Sequence, residues 1–189
     1  MLTRAELEAF RDREVDDLVG PGLKLLIVGI NPGLMTAATA THFNHPGNRF
    51  YPALTRAGIA DFADFKRGTP MTARQRQHLL DRGIGITNLV RRATVRASEL
   101  STDELRRGAT DLERLVADSK PKVVAILGVT AYRQAFARPK AELGPQAELL
   151  AGVPIWVVPN PSGLNAHETV ETLAEAYRAA AQAAGIDTS

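Results

Sequence analysis

Short, continuous apolar segments alternate along the chain with stretches whose apolar residues recur at helical spacing. Three of these segments have the composition of strands buried on both faces, and they lie at 24–30, 122–128 and 154–159. A shorter apolar segment at 83–88 predicts a fourth strand. The pattern therefore predicts a sheet whose strands are separated by helices.

The segments between these strands carry the signals of helices. Thr3 with Glu6, and Ser101 with Glu104, have the spacing of a capping box, in which each side chain accepts a hydrogen bond from the other residue's backbone N–H. The first of these helices is predicted to end near Gly20. Further helices are predicted at 49–57, 73–81 and 130–136, and from about His167 onward.

Alternation of strands and helices predicts a three-layer α/β/α sandwich with a short, mostly parallel central sheet. We expect a single domain over residues 1–189, with residues 1–20 forming an N-terminal helix packed on it. In such sheets, ligands bind at the carboxyl ends of the strands. A first loop (residues 31–48) and a second loop (residues 160–167) follow two of the strands, so we expect the site between them.

The composition excludes several kinds of site. The 189 residues include no cysteine, which rules out disulfides, a cysteine nucleophile, iron–sulfur clusters and thiolate zinc sites. The four histidines show no metal-ligand spacing, and we expect neither a metal nor a cofactor. The first 20 residues lack the apolar core of a secretory signal, and no segment approaches the roughly 20 apolar residues of a membrane span. A cytoplasmic protein with no membrane contact is expected.

The charges nearly balance in number but are unevenly distributed along the chain. There are 23 lysines and arginines against 21 acids, a net charge of +2. No carboxylate occurs between Asp17 and Asp61, or in 82–97 and 119–141, whereas acids gather in the first and last predicted helices. This distribution is compatible with a basic face that binds an anionic substrate such as a phosphodiester. Charge runs are more often only solvated faces, so both interpretations stay open.

Neither loop carries a standard phosphate-binding or hydrolase motif. The P-loop spacing, the dinucleotide fingerprint and the Gly-x-Ser-x-Gly elbow are all missing, and Asn31-Pro-Gly alone is ordinary turn chemistry. Two interpretations are open for Leu164 in the second loop: a contact with the core, or an apolar wedge that enters a base stack. Phe43 is likewise either a packing residue or a stacking partner for a base.

Four motifs in register resemble the mismatch-specific uracil/thymine-DNA glycosylases, the Mug branch of the uracil-DNA glycosylase superfamily. They are Gly29-Ile-Asn-Pro-Gly33, Asn44-His-Pro-Gly-Asn-Arg-Phe50, Gly85-Ile-Thr-Asn-Leu-Val90 with Arg92 and Thr94, and Asn160-Pro-Ser-Gly-Leu164. The similarity runs from about Leu18 to Ala180. Iron–sulfur members of the superfamily are excluded by the missing cysteines.

The resemblance implies a monofunctional DNA glycosylase that flips a base and hydrolyses its N-glycosidic bond by attack of water. Its substrate would be uracil in duplex DNA, chiefly opposite guanine, and more weakly thymine or modified pyrimidines. No lysine falls in either loop, so a Schiff-base lyase step is not expected. The implied partner is double-stranded DNA that carries uracil or a mismatched pyrimidine. We expect a monomer, associated with the nucleoid in a bacterium.

The resemblance also assigns roles to individual residues. Asn31 would place the attacking water, a role that suits an amide with no useful pKa if the bond is already breaking toward an oxocarbenium ion. Phe43 would stack on the flipped base, with Ile30 and Asn88 lining the pocket. The wedge and its neighbouring DNA contacts would comprise Asn160, Ser162, Gly163, Leu164, Asn165, His167, Arg91 and Arg92.

Two positions depart from the family pattern. Arg91 stands where members usually carry an acidic residue, which removes an assisting carboxylate and offers a contact to the DNA backbone. Leu164 is followed by Asn165-Ala-His167 instead of a segment with an arginine, and we hypothesise that His167 or Asn165 partly substitutes in reading guanine. Two other classes stay open: a mismatch- or abasic-site DNA-binding module with little catalysis, and a small-molecule α/β enzyme.

Overall fold

A five-stranded sheet forms the centre of the computed structural model, which describes residues 2–189. The strands are β1 (Leu25–Gly29), β2 (Ile84–Asn88), β3 (Val123–Leu127), β4 (Gly144–Leu150) and β5 (Val153–Val158). Their order across the sheet is β2-β1-β3-β5-β4. All neighbours pair in parallel except β4, which pairs antiparallel with β5. The predicted short, mostly parallel sheet is confirmed.

Helices cover both faces of this sheet. They are α1 (Arg4–Glu8), α2 (Leu34–Thr39), α3 (Phe50–Arg56), α4 (Ala73–Asp81), α5 (Thr102–Ser119), α6 (Val129–Ala135) and α7 (Val170–Ala183), with a short 3-10 helix at Ala97–Glu99. Capping boxes begin α1, α4, α5 and α7. The bounds predicted for α3, α4 and α6 agree with the structure to within about two residues.

Alternate residues of each buried strand supply two separate cores. Leu25 and Ile27 of β1 pack in a cluster with α3, α4 and α7, whereas Leu26 and Val28 pack in a cluster with α5 and α6. Because successive side chains of a strand point to opposite faces, a strand buried on both sides needs a continuous apolar run. The predicted three layers are thereby confirmed.

The N-terminal segment differs from the prediction. The helix ends at Glu8 instead of running to about Gly20, and Asp12 already has a left-handed backbone with φ 61°. Farther along, Leu18 pairs antiparallel with Ile86, with N···O distances of 2.9 and 2.8 Å. A short amphipathic helix is marginal by itself, and the unpaired edge of β2 offers the backbone stronger partners.

Two further elements were not predicted. The strand β4 contains glycine and proline and exposes alternate residues, which are features of an edge strand rather than of a buried one. The first loop, expected to be irregular throughout, contains α2 (Leu34–Thr39). Across residues 2–189, no helix has the length and apolarity needed to cross a membrane.

Candidate functional site

The two loops meet at the carboxyl end of β3, where Gly128 has a φ of 115° that only glycine adopts readily. A Cβ atom at this position would lie 3.5 Å from Cδ1 of Ile30 and 3.8 Å from Cβ of Asn160. Since β3 lies between β1 and β5, the residues that follow those two strands come together across it. The structure thus brings together Ile30 and Asn160, two predicted site residues 130 positions apart.

Backbone pairing between β1 and β2 continues past the ends of both strands. The N–H of Val90 donates to the carbonyl of Ile30 at 2.9 Å, and the N–H of Thr94 donates to that of Pro32 at 3.1 Å. These bonds tie the start of the first loop to the segment that follows β2. Asn31 therefore lies on a fixed backbone.

The amide of Asn31 has a defined orientation. Its Nδ2 donates to Oγ1 of Thr94 at 2.7 Å and to the carbonyl of Arg92 at 3.1 Å. The Thr94 hydroxyl donates its only proton to the carbonyl of Arg96 at 2.9 Å, so toward Asn31 it can only accept. Within residues 2–189, Oδ1 of Asn31 has no hydrogen-bond donor, which leaves it free to accept a hydrogen bond from water.

Gly29, Phe43 and Asn88 form one wall of the candidate pocket. A Cβ atom on Gly29 would lie 2.4 Å from Oδ1 of Asn88 and 3.1 Å from the ring of Phe43, so both side chains close over the glycine. Phe43 is half-buried, and its ring centroid lies 4.2 Å from that of Phe50. The backbone of Phe43 is left-handed, with φ 55°, an arrangement that is uncommon for a bulky residue and often found at functional sites.

A buried histidine, absent from the predicted site, fixes the amide of Asn88. The Nε2 of His42 lies 2.9 Å from the carbonyl of Asp16, which can only accept, so Nε2 carries the proton. The Nδ1 of His42 must then accept from Nδ2 of Asn88, at 3.2 Å. Burial lowers the pKa of His42 and keeps the ring neutral. As a result, Oδ1 of Asn88 faces Gly29 and the pocket.

The tip of the second loop is open to solvent. Leu164 is 85% exposed, and the structure excludes the alternative that it folds back on the core. Asn165 is used within the loop, because its Nδ2 donates to the carbonyl of Asn160 at 3.1 Å and its Oδ1 accepts from the N–H of His167 at 3.3 Å. Of the two residues considered for reading guanine, only His167 has an exposed side chain.

Arg91 and Arg92 face carboxylates from distant parts of the chain. Arg91 lies 3.2 Å from the carboxylate of Asp17, with Glu14 and Asp16 at 3.5 and 3.9 Å. Arg92 lies 2.9 Å from Asp12 and 2.6 Å from Glu104. The bases and acids that are segregated in the sequence therefore meet in space.

Of the two interpretations of the charge distribution, a basic face is not formed at these two arginines, because the extended N-terminal segment and its acids lie beside β2. Sequence reasoning placed those acids on a separate helix and could not anticipate the contact. Asp17 also accepts a hydrogen bond from the hydroxyl of Thr87, at 2.7 Å. The first loop itself has no carboxylate, but the carboxylate of Asp17 thus binds Thr87, the residue before Asn88, and its charge is compensated by Arg91.

Comparison with known proteins identifies a family and a similar fold. Residues 17–182 match the sequence model of the uracil DNA glycosylase superfamily. The fold is similar to the solution NMR structure of a candidate uracil DNA glycosylase from Methanosarcina acetivorans, with a TM-score of 0.61 and 17% sequence identity. That match covers 90% of this chain and 98% of the other. At this identity, the structural similarity concerns the fold alone.

Proposed function

Because the chain belongs to the uracil DNA glycosylase superfamily, we propose that it hydrolyses the N-glycosidic bond of uracil in duplex DNA, chiefly opposite guanine. The observation that carries the proposal is the free Oδ1 of Asn31, whose Nδ2 donates to Thr94. Asn31 lies two residues after Gly29, which Phe43 and Asn88 cover. Thymine and modified pyrimidines would be weaker substrates. The partner is double-stranded DNA, bound by a monomer.

The pocket residues suit a flipped pyrimidine. Phe43 would stack on the base, a contact worth roughly 1–3 kcal/mol, while Phe50 supports the other side of its ring. The Oδ1 of Asn88 would accept the N3–H of uracil, because the neutral ring of His42 holds Nδ2 on the opposite side. Ile30 would add an apolar contact.

In the proposed reaction, the bond between C1′ and N1 breaks ahead of water attack. The electron pair of that bond leaves with the base as a uracil anion, and the sugar becomes an oxocarbenium ion. Asn31 Oδ1 accepts a hydrogen bond from a water molecule and directs its oxygen to C1′. After the C–O bond forms, the new hydroxyl group loses its extra proton to solvent, and the uracil anion takes up a proton from solvent, so the amide need not act as a base.

A carboxylate close to the uracil anion would oppose its departure. Asp17, whose charge acts on His42, is compensated by Arg91 at 3.2 Å and by the hydroxyl of Thr87. Arg91 would thus support the reaction by neutralising the charge of Asp17. Its side chain is also exposed, so it could in addition contact the DNA backbone. Arg92, engaged by two carboxylates, is less available for that contact.

The second loop would fill the space left by the flipped nucleotide. Leu164 is suited to this wedge role because an apolar side chain stands 85% exposed at the tip of a polar loop. Asn160, Ser162 and Gly163 would place it, and His167, whose side chain is exposed, would approach the opposite strand. With no arginine after Leu164, we expect a smaller preference for guanine than the family pattern implies.

Single-turnover excision tests the proposal. Duplexes that carry G·U, A·U or G·T, and single-stranded uracil, are incubated with excess protein and then cleaved with alkali at abasic sites. We expect the fastest cleavage with G·U. Asn31→Ala should abolish excision and retain binding to G·U duplexes. If the wild type binds tightly but leaves the strands intact, the result would favour the mismatch-binding module. If it neither binds nor cleaves these DNAs, both functions are refuted.

A further inference from the structure

Arg49 uses its main chain and its guanidinium to hold the second loop. Its N–H donates to the carbonyl of Pro161 at 3.0 Å, and its Nη2 donates to the carbonyls of Ser162 and Asn165, each at 2.6 Å. Its Nη1 donates to the carbonyl of Glu168. One residue therefore binds three carbonyl groups of the second loop and a fourth on the residue that follows it.

These contacts come without a neutralising carboxylate. Among residues 2–189, no acidic side chain forms an ion pair with Arg49, and the carboxylate of Glu168 instead accepts from Oγ1 of Thr172 at 2.6 Å. The Nε of Arg49 is buried and has no acceptor within the described residues. A buried donor left unpaired lowers stability, so this arrangement is better explained by the loop that it orders than by stabilisation of the fold.

A second contact, made by the end of the first loop just before Arg49, also limits the position of the second loop. A Cβ atom on Gly163 would lie 2.7 Å from the carbonyl oxygen of Gly47, so the two backbones touch where neither residue has a side chain. Leu164 follows immediately and is 85% exposed. The exposed leucine thus follows a glycine that touches the Gly47 backbone, and it lies between Ser162 and Asn165, whose carbonyls Arg49 binds.

Arg49 also connects this loop to the base-stacking side of the pocket. It is the N-cap residue of α3, and the next residue, Phe50, lies against Phe43 with ring centroids 4.2 Å apart. Its guanidinium is planar and holds five N–H groups in a fixed fork, a geometry that the ammonium of lysine, with three rotating donors, does not reproduce.

We propose that Arg49 is a positioning residue that sets the place of Leu164 relative to the pocket, so that the wedge enters the duplex as the base is flipped. The inference rests on the proposed function. A loosened wedge should slow excision from a duplex, where the base must be extruded. It should spare excision from single-stranded DNA, where the base needs no wedge.

The first experiment needs no catalytic activity. Backbone amide hydrogen exchange is measured for residues 162–168 in the wild type, Arg49→Gln and Arg178→Gln. Arg178 is a matched control because its guanidinium binds the carbonyls of Ala57 and Arg56 at the other end of α3, at 3.1 and 2.9 Å. We expect Arg49→Gln to speed exchange by about tenfold in this segment, and Arg178→Gln to leave it unchanged. Wild-type exchange in Arg49→Gln would overturn the proposal.

The second experiment compares single-turnover excision from G·U duplexes and from single-stranded uracil. Arg49→Gln should slow the duplex reaction by about tenfold or more and change the single-stranded reaction by less than about twofold. Combined with Leu164→Ala, it should be no slower than the slower single variant, because both act through the same wedge. Equal losses on both substrates, or multiplicative losses in the double variant, would refute a positioning role.

Arg49→Lys serves if Arg49→Gln does not fold, since it keeps the charge but loses the fork of donors. Its exchange and excision should change in the same direction as those of Arg49→Gln, and wild-type behaviour in both would overturn the proposal. The two experiments also separate the two hypotheses. If the wild type excises no uracil, the proposed function fails, whereas hydrogen exchange still decides whether Arg49 holds the loop.

Discussion

The orientation of Asn31 depends on one proton of Thr94. That hydroxyl donates to the carbonyl of Arg96, so its lone pair is what holds Nδ2 of Asn31, at 2.7 Å. Without this acceptor, Nδ2 keeps only its longer bonds to the carbonyls of Arg92 and Pro32, at 3.1 and 3.3 Å, so the amide can rotate more easily and present N–H groups to the water in place of Oδ1. Proteins pair such buried groups closely, and Thr94 is only 1% exposed.

We therefore expect Thr94→Val, which keeps the shape and removes the hydroxyl, to slow G·U excision by about tenfold, the effect of about 1.4 kcal/mol. Thr94→Ser restores the acceptor and should remain within about threefold of the wild type. Single-turnover rates measure the effect, and thermal midpoints check the fold. Full activity in Thr94→Val would show that Asn31 is oriented by other groups.

His42 makes a prediction about pH dependence. Burial lowers its pKa in the folded state below the ordinary 6.5, against smaller raising effects from the carbonyl of Asp16 and the charge of Asp17. Below pH 6.5 the unfolded chain then binds more protons than the folded one, so this contribution to stability is present above pH 6.5 and is lost as the pH falls.

Urea unfolding between pH 7.5 and 5.5 should show this loss in the wild type. In His42→Gln, which has no proton to gain, the free energy of unfolding should fall less steeply as the pH is lowered. The two slopes should differ by at most about 1.4 kcal/mol per pH unit, the value for one proton. The comparison is made on the pH slope and not on the stability itself, which the substitution also changes. Equal slopes in the two proteins would contradict the assigned burial and tautomer.

At the scale of elements, the apolar pattern predicted most of the strands and helices. Continuous apolar runs marked β1 and β3 because both faces of those strands are buried. The capping box at Ser101 marked the start of α5. The strand β4 was missed because an edge strand needs only one apolar face, and β4 exposes every second residue up to Leu149. The extent of α1 was missed because local spacing does not reveal that β2 has a free edge.

Gly29, the last residue of β1, makes a sharp test of the pocket wall. Its Cβ would lie 2.4 Å from Oδ1 of Asn88, which cannot turn away freely because His42 binds its Nδ2. The ring of Phe43 lies 3.1 Å from the same point. A methyl group here must displace one of the two residues proposed to contact the base.

Gly29→Ala should accordingly slow G·U excision by about tenfold or more, since small errors in placement strongly reduce catalysis. Gly33→Ala is the matched control in the same motif, because a Cβ there has no neighbour within 4 Å. It should retain activity within about threefold. If the two variants have equal activity, the wall formed by Asn88 and Phe43 does not contact the base.

At the scale of the whole molecule, contacts between distant segments were the part that the sequence did not reveal. The motifs indicated Asn31 and Leu164, because polar loops at strand ends and a lone leucine among polar residues are local signals. The sequence showed Arg49 only as a member of a family motif and gave no indication of its contacts, since its acceptor on Ser162 lies 113 residues away along the chain. The partners of Arg91 were hidden for the same reason, because they belong to a segment whose course was predicted wrongly.

Glu104 links the N-terminal segment to the rest of the molecule through Arg92. Its carboxylate lies 2.6 Å from Arg92, which also binds Asp12, and it accepts from the N–H of Ser101 at 2.9 Å. The hydrogen bonds from Arg92 and Ser101 lower the pKa of Glu104 from 4.5 to about 2. Since the unfolded carboxyl takes up a proton first, this contribution to stability is present above pH 4.5 and is lost as the pH falls toward 2.

Glu104→Gln should isolate this charge, because glutamine still provides the side-chain oxygen of a capping box. We expect a lower thermal midpoint than the wild type at pH 7 and a difference that narrows between pH 4.5 and 2. Glu113→Gln, on the same helix, removes a glutamate with no side-chain hydrogen bond or ion pair to any residue from 2 to 189, and it controls for the change in net charge. A difference that stays constant with pH would mean that Arg92 and Glu104 do not hold the N-terminal segment as an ion pair. In that case the N-terminal segment would be held by its other contacts, which include the backbone pairing of Leu18 with Ile86 and the bonds of Asp17 to Arg91 and Thr87.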